Sequence, residues 1–218
     1  MFITFEGPDG SGKTTQVAQT AAALRAQGHH VLLTREPGGT AIGDQIRAIL
    51  NDMRNKSLQP RAELLLFSAS RAQIVAEVIR PHLAAGGLVI CDRFFDSTYA
   101  YQGYGHGLEL ALLRQITEFA TGGLKPDMTL LLDIAPEDGL QRRLSAVARG
   151  EEWTRLDDMA MAFHRRVREG YHALIAAEPE RWVRIDAARS VEAVQADILA
   201  VMAARVPPAV RRVVTDGA

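Results

Sequence analysis

An α/β fold, a mostly parallel sheet wrapped by helices, is what this sequence predicts, on three observations. Short apolar, β-branched segments alternate with helical stretches from one end of the chain to the other. One strand-to-helix junction carries a glycine-rich loop that ends in Lys-Thr. And 218 residues, 47% of them hydrophobic, can bury a full core within the size that α/β proteins cover as one domain.

Taken in order, Phe2–Glu6 is β-branched and aromatic and reads as a strand, and Thr14–Gln27 is Ala/Gln/Leu-rich and closes at Gly28 as a helix. Val31–Arg35 is the second strand, followed by the flexible turn Glu36-Pro37-Gly38-Gly39-Thr40 and a helix over Ala41–Asp52. Arg61–Ala84 is a long helical stretch that Pro81 should end or kink. Gly86-Gly87 and Gly122-Gly123 punctuate the chain before the strands Leu88–Asp92 and Met128–Asp133, with a helix over Leu108–Ala120 between. Helices follow over Pro136–Ala146 and Leu156–Ala177, then the strand Trp182–Asp186 and the helix Val191–Ala204. The expected organisation is one domain over 1–206. Within it, 145–155 is charged, contains Gly150 and suits a mobile lid; from Pro207 a short flexible tail is expected over 207–218.

Composition narrows the function classes. A formal charge of −1 argues against a general nucleic-acid binder, and no apolar stretch reaches membrane-spanning length, so the expectation is a cytoplasmic protein with neither nucleic acid nor membrane as partner. The single cysteine, Cys91, lies in an apolar strand and reads as core, and the six histidines show no metal-ligand spacing. Lysine occurs only at positions 13, 56 and 125, so arginine, with its planar bidentate fork, carries nearly all the positive charge.

The run Gly7-Pro8-Asp9-Gly10-Ser11-Gly12-Lys13-Thr14 matches G-x-x-x-x-G-K-[ST] at every fixed position and lies between a strand and a helix, where a phosphate-binding P-loop must be. Its glycines let N–H groups converge on an anion, Lys13 can reach β- and γ-phosphates, and the Thr14 hydroxyl can ligate Mg²⁺. Four further clusters separate a phosphotransferase from a switch. Arg35 to Thr40 lies at the carboxyl end of a strand, where open α/β sheets bind ligands. Phe67 and Arg71, four apart on a helix, share a face that could present a ring for stacking beside a guanidinium. Asp92-Arg93 ends an apolar strand and opens a run to Gly103, pairing an acid for a metal with an arginine for a phosphate; Asp133 also ends an apolar strand, and Asp92 is preferred because an arginine follows it. Arg142, Arg143, Arg149 and Arg155 flank the glycine loop of the lid and would surround a transferring phosphoryl group.

These runs together resemble the thymidylate kinase family, the bacterial dTMP kinases among the P-loop nucleoside monophosphate kinases, over residues 1 to 204. The carriers are the P-loop with Asp9, R-E-P-G-G-T at Arg35–Thr40, L-L-F-x-A-x-R at Leu65–Arg71, D-R-F-x-D-S-T-x-A-Y-Q-G at Asp92–Gly103, and A-R-G-E in the lid. The resemblance implies a three-layer P-loop kinase fold with a five-stranded parallel sheet and a short lid. It implies transfer of the ATP γ-phosphoryl group to dTMP in dTTP biosynthesis, with Mg²⁺ required, and a homodimer built through helices. ATP would lie on Gly7 to Thr15 and Arg142, with Thr14 and Asp92 toward the metal. For dTMP, Phe67 would stack on thymine, Arg71, Thr98 and Gln102 would bond its polar edge, and Arg47 and Arg93 would hold its phosphate. Asp9 would contact the 3′-hydroxyl, Tyr101 would fill the space beside C2′, and Glu36, Pro37 and Ser97 would support the acceptor. Gly10 with Arg149 matches the family arrangement in which the lid, not the P-loop, supplies the catalytic arginine beside Lys13, Arg93 and Asp9. The lid departs from bacterial relatives at Thr154 and Asp157, leaving the roles of its carboxylates Glu151, Glu152 and Asp157 open, and Ser70 is given no task. The competing readings are a UMP/dUMP-type kinase and, from another class, a P-loop switch or assembly ATPase.

Overall fold

In the computed structural model, which describes residues 1–209, five parallel strands lie in the order β2-β3-β1-β4-β5. They are β1 (Phe2–Glu6), β2 (Val31–Arg35), β3 (Leu88–Asp92), β4 (Met128–Asp133) and β5 (Trp182–Asp186), each with the bounds that the apolar runs predict. Parallel sheets are covered on both faces, and their strands read as near-continuous apolar runs. Ile3 and Phe5 of β1 join Ile90, Leu130 and Leu132 beneath α1 (Lys13–Ala26) and α9 (Val191–Arg205). The alternate residues face the other layer, where Phe2 packs with Val89, Cys91 and Phe94, and Thr4 bonds Thr129 across strands at 2.8 Å. Cys91 is core, as its strand context predicts. The expected tail lies, beyond residue 209, outside the described residues.

Pro81 does not end its helical run. α3 (Pro60–Ile74) passes through a π-helical turn over Val75–Ile79 into α4 (Arg80–Ala84), Arg80 N–H reaching back to the Val75 carbonyl. The wider turn gives room to a proline ring that would otherwise meet the carbonyl four residues earlier. After β3 the chain forms a short helix, α5 (Phe95–Thr98), and a second π-helical segment over Tyr99–Gly105, neither of which the sequence pattern discloses. The next elements are α2 (Ala41–Asn51), packed beside α3, α6 (Leu110–Thr121) and α7 (Pro136–Val147).

The helix expected from Leu156 starts five residues later, as α8 (Met161–Ala177). Thr154 and Asp157 do form a reciprocal cap: Asp157 accepts from Thr154 N–H at 2.9 Å, and Thr154 Oγ1 accepts from Asp157 N–H at 3.4 Å. The cap opens only one turn, and the chain straightens before Met161.

α7 reaches the P-loop through two glycines facing each other. A Cβ on Gly10, where φ is +75°, would lie 1.9 Å from the Gly139 carbonyl oxygen, and one on Gly139 would lie 2.4 Å from the Asp9 carbonyl oxygen. Because the obstacle is backbone, it cannot swing aside. Gly139→Ala is therefore expected to cost about 1–3 kcal/mol and to lower the melting temperature by about 2–4 °C per kcal/mol, as thermal denaturation followed by circular dichroism will read.

Candidate active site

The carboxyl ends of the strands open into a cleft of about 1210 Å³ that runs from the P-loop and Arg149 at one end to Phe67 and Gln102 at the other. Single-ligand pockets span about 300–1,000 Å³, so this cleft has room for more than one small molecule.

At the P-loop end, Gly12 adopts the left-handed conformation and α1 starts at Lys13, aiming its first N–H groups into the cleft. Lys13 Nζ donates to the carbonyls of Gly7 (2.9 Å) and Pro8 (2.8 Å) and to Ser11 Oγ (3.2 Å). Burial, then the neighbouring Arg93, lower its pKa to about 8. Thr14 Oγ1 donates to Asp92 Oδ2 at 2.9 Å, so these two oxygens lie together at the cleft, where Thr15 also lines the wall. Asp133 is differently placed. It is buried and held by Arg168 at 2.7 Å and Arg184 at 2.5 Å, with His172 3.1 Å away. Between the two strand-end acids, the geometry favours Asp92.

Arg93 sits at the centre with φ +67°, an uncommon conformation for a residue with a side chain. Nη1 donates to the Gly7 carbonyl, Ser97 Oγ and Tyr171 Oη, and Nη2 to Asp9 Oδ1 (2.6 Å) and Tyr101 Oη (3.1 Å). Tyr101 Oη in turn donates to Asp9 Oδ2 at 2.8 Å. Burial would raise the Asp9 carboxyl, but Arg93 and then Lys13 hold it below its ordinary value. Beneath them lies Glu6, which sequence reasoning took only as a strand residue. It accepts from Phe94 N–H (2.8 Å), Ser97 Oγ (2.5 Å) and Tyr171 Oη (2.9 Å). Ser97, expected to support the acceptor, thus spends its hydroxyl on Glu6 and Arg93. A charged residue ending the apolar strand β1 just before the P-loop was the available signal for Glu6; its hydroxyl partners are far away in sequence and left none.

The turn after β2 is built by its own side chains. Thr40 caps α2, Asp44 accepts from Gly39 N–H, and Gly38 N–H donates to Ser70 Oγ at 3.0 Å, which gives Ser70 a task. Arg47 Nη1 donates to the Pro37 carbonyl at 3.1 Å, and burial followed by Arg35 lowers its pKa. Arg71 is not free for a ligand in the way expected. Only 1% exposed, it lies over the Phe94 ring and pairs with Glu36 Oε2 through Nε (2.9 Å) and Nη2 (2.7 Å). Burial, opposed by Arg71, pushes Glu36 up to about 7. Arg71 Nη1, Glu36 Oε1 and Thr98 Oγ1 are nevertheless buried without a partner among the described residues. Such groups carry a desolvation cost unless something binds them. Phe67, Thr98, Tyr101 and Gln102 all line this end of the cleft.

The four lid arginines do not surround one point. Arg142 bonds the carbonyls of Ala187 and Ala188, and Arg143 bonds Asp157, Glu151 and the Glu152 carbonyl. Arg155 is buried, bonding the Leu50 carbonyl and pairing with Glu63. Arg142 and Arg149 are both exposed on the cleft wall, and Arg149 alone of the four has no hydrogen-bond or ion-pair partner for its guanidinium among the described residues.

A P-loop beside a second, arginine-lined polar recess in one cleft defines a phosphotransferase that works between two phosphate-bearing molecules. Comparison with known proteins narrows this class. The sequence model of the family described as thymidylate kinase matches residues 5–198. The thymidylate kinase of Roseiflexus castenholzii is 53% identical over 211 residues, covering 93% of this chain and 92% of that protein, and that of Deinococcus radiodurans is 51% identical over 205 residues, covering 94% and 97%. The crystal structure of thymidylate kinase from Ehrlichia chaffeensis superposes with a TM-score of 0.76 at 34% identity over 93% of this chain and 98% of that one. The chain belongs to the thymidylate kinase family, and its reaction is the ATP-dependent phosphorylation of dTMP.

Asp133→Asn separates structure from chemistry. Burial would raise the Asp133 carboxyl, but hydrogen bonds from Arg168 and Arg184 outweigh it and lower the pKa from 3.8. Its stabilisation is therefore complete above the unfolded value and is lost as pH falls through the lower folded one. Asp133→Asn should cost about 2 kcal/mol at pH 7, with the gap to wild type closing below pH 3.8 in denaturant titrations, while Asp92→Asn should spare stability and lower activity.

Proposed function

We propose that ATP and dTMP lie end to end in the cleft, ATP with its phosphates on Gly7 to Thr15 and dTMP with its base against Phe67. The observation that carries this reading is the convergence on one cleft of the P-loop, the Arg93 centre and the unpartnered polar atoms of Thr98 and Glu36, with the buried Arg71 paired to Glu36 behind them. Among the described residues no acceptor takes Arg93 Nε, which leaves it, with Arg47, for the dTMP phosphate. Asp9 lies where the acceptor sugar would pass, and Tyr101 walls the same side. Pro37 holds Arg47 through its carbonyl, and Arg142 fixes the loop that would border the donor base.

A phosphate monoester has a second pKa of about 6, so the acceptor oxygen is already largely deprotonated at neutral pH. No general base is needed. The barrier lies in bringing two anions into line, and Lys13, Arg93 and Arg47 lower it by holding both phosphates in a cationic, largely dehydrated site. The hydroxyl of Thr14 and the carboxylate of Asp92 are hard oxygen donors side by side, a pair that fits Mg²⁺, held in part through water. When bound there, Mg²⁺ would neutralise charge developing on the donor phosphates. The lid over 145–155 brings in Arg149, the arginine that Gly10 cannot be, because Gly139 blocks any side chain there.

The working unit we propose is a single kinase domain over 1–206 in the cytoplasm, assembled as a homodimer. Ile42 and Ile49 on α2, Leu65 on α3, and Leu112 and Phe119 on α6 are exposed, Phe119 to 91%. The first and last pairs are seven residues apart, each on one face, and α3 packs against both other helices. Exposed apolar stripes of this kind mark contact surfaces. No helix among the described residues is long and apolar enough to cross a membrane.

An ADP-release assay with ATP, Mg²⁺ and each nucleoside monophosphate in turn should show dTMP as the preferred acceptor; ADP release that ignores the acceptor would contradict the placement of dTMP. Arg149→Ala should lower kcat by about 10³-fold or more with little change in dTMP affinity by calorimetry. Phe119→Asp should convert a dimer to a monomer in sedimentation.

A further inference from the structure

Glu63 lies on α3, wholly buried, and belongs to none of the sequence motifs that point to the site. Its Oε1 accepts from Gln102 Nε2 at 2.6 Å, its Oε2 pairs with Arg155, and His106 Nε2 stands 3.3 Å from Oε1. Arg155 comes from the end of the lid segment and is itself buried. Burial would raise the Glu63 carboxyl, but His106, Arg155 and Gln102 together lower it, so it is ionised at neutral pH.

An ionised carboxylate only accepts hydrogen bonds, whereas a glutamine amide can present either its NH₂ or its oxygen. Facing Glu63, Gln102 must turn its nitrogen away from the cleft, and its oxygen is the polar atom left for a ligand. A buried amide without such a neighbour could rotate by half a turn and offer a donor instead. We propose that Glu63, charge-balanced by Arg155, is a positioning residue that sets acceptor-base specificity by locking the Gln102 amide with its oxygen toward the cleft. An oxygen there pairs with a pyrimidine whose ring N3 carries hydrogen, as in thymine and uracil. It opposes the bare N3 lone pair of cytosine, and an unmatched polar contact of this kind is what gives a buried site its discrimination. The inference rests on the placement of the base beside Phe67 and Gln102 proposed above.

The test measures kcat/KM for dTMP and dCMP in wild type, Glu63→Gln, Gln102→Ala and the double variant, with thermal melts as a check on folding. Glu63→Gln removes the fixed acceptor, so the dTMP:dCMP ratio should fall by about 10- to 100-fold, mainly through KM, and the double variant should fall no further than Gln102→Ala. A Glu63→Gln enzyme that loses rate equally on both nucleotides, or whose loss multiplies with that of Gln102→Ala, overturns the proposal. If Gln102→Ala itself keeps the wild-type ratio, the base placement has failed instead, and the proposal falls with it. Should Glu63→Gln not fold, a crystal structure of the wild-type protein with dTMP decides: a Gln102 amide still bonded to Glu63, with its other atom on ring N3, supports the proposal, and an amide turned off Glu63 overturns it.

Discussion

The arrangement depends above all on the grip of one guanidinium. Arg93 ties the Gly7 carbonyl and Asp9 of the P-loop to Ser97 and Tyr101 after β3 and to Tyr171 of α8. Removing one partner of a buried ion pair leaves an uncompensated charge and costs about 3–5 kcal/mol. The strained backbone at Arg93 fits this reading: strain of about 1–3 kcal/mol persists where surrounding contacts over-determine it. Glu6 completes the device from below, because Ser97 and Tyr171, which accept from Arg93, donate to Glu6. Burial and the nearby Asp96 push the Glu6 carboxyl up, with Arg93 opposing. In the proposed arrangement one side chain therefore sets the distance between the donor's phosphate loop and the acceptor's phosphate site, and in-line transfer is sensitive to that distance.

The cations around Arg93 are crowded. Lys13 is pushed down by burial and Arg93, and Arg47 by burial and Arg35. Like charges held this close are a stored preference for anions: each phosphate that enters relieves repulsion among groups already in place, without reorganisation at the moment of transfer. The same logic accounts for the orphaned atoms of Arg71, Glu36 and Thr98, which a ligand's polar edge can satisfy. Asp133 shows the contrast, since Arg168 and Arg184 occupy both of its carboxylate oxygens and leave no acceptor unpaired.

All five strands were legible because a strand buried on both faces is a continuous apolar run bounded by turns, a pattern that needs no tertiary information. Phe67, Arg93 and the P-loop were legible through motif context. Arg155 was not: beside the glycine loop it reads as one more arginine for the transferred phosphoryl group, and its actual partner Glu63 is remote in sequence. Nor was the π-helical segment over Tyr99–Gly105, whose wider turns escape a search at the 3.6-residue period. Its Gln102 turns to a cleft where burial and polarity coincide. Thr154-Arg155-Leu156-Asp157 was a false start of another kind, a cap that forms as its spacing promises while Arg155 is drawn into the interior and the helix waits for Met161. Local signals thus located elements, and the misses fall where a long-range polar contact overrides them.

Two kinds of arginine divide the labour of the cleft, and the glycine contact behind the P-loop explains why. Because Gly10 and Gly139 meet backbone to backbone, the loop can approach a phosphate closely but cannot send a side chain from position 10. In the proposed mechanism, positive charge beyond that of Lys13 then comes from the opposite wall. Arg143 and Arg155 are spent on fastening the lid chain to Asp157 and Glu63, and Arg142 on the carbonyls of Ala187 and Ala188. Arg149, beside Gly150, is the one cation of the set whose guanidinium has no such partner among the described residues. In the proposed mechanism this single uncommitted guanidinium is delivered over the reacting phosphoryl group as the cleft closes and water is excluded, and is not fixed in the open site.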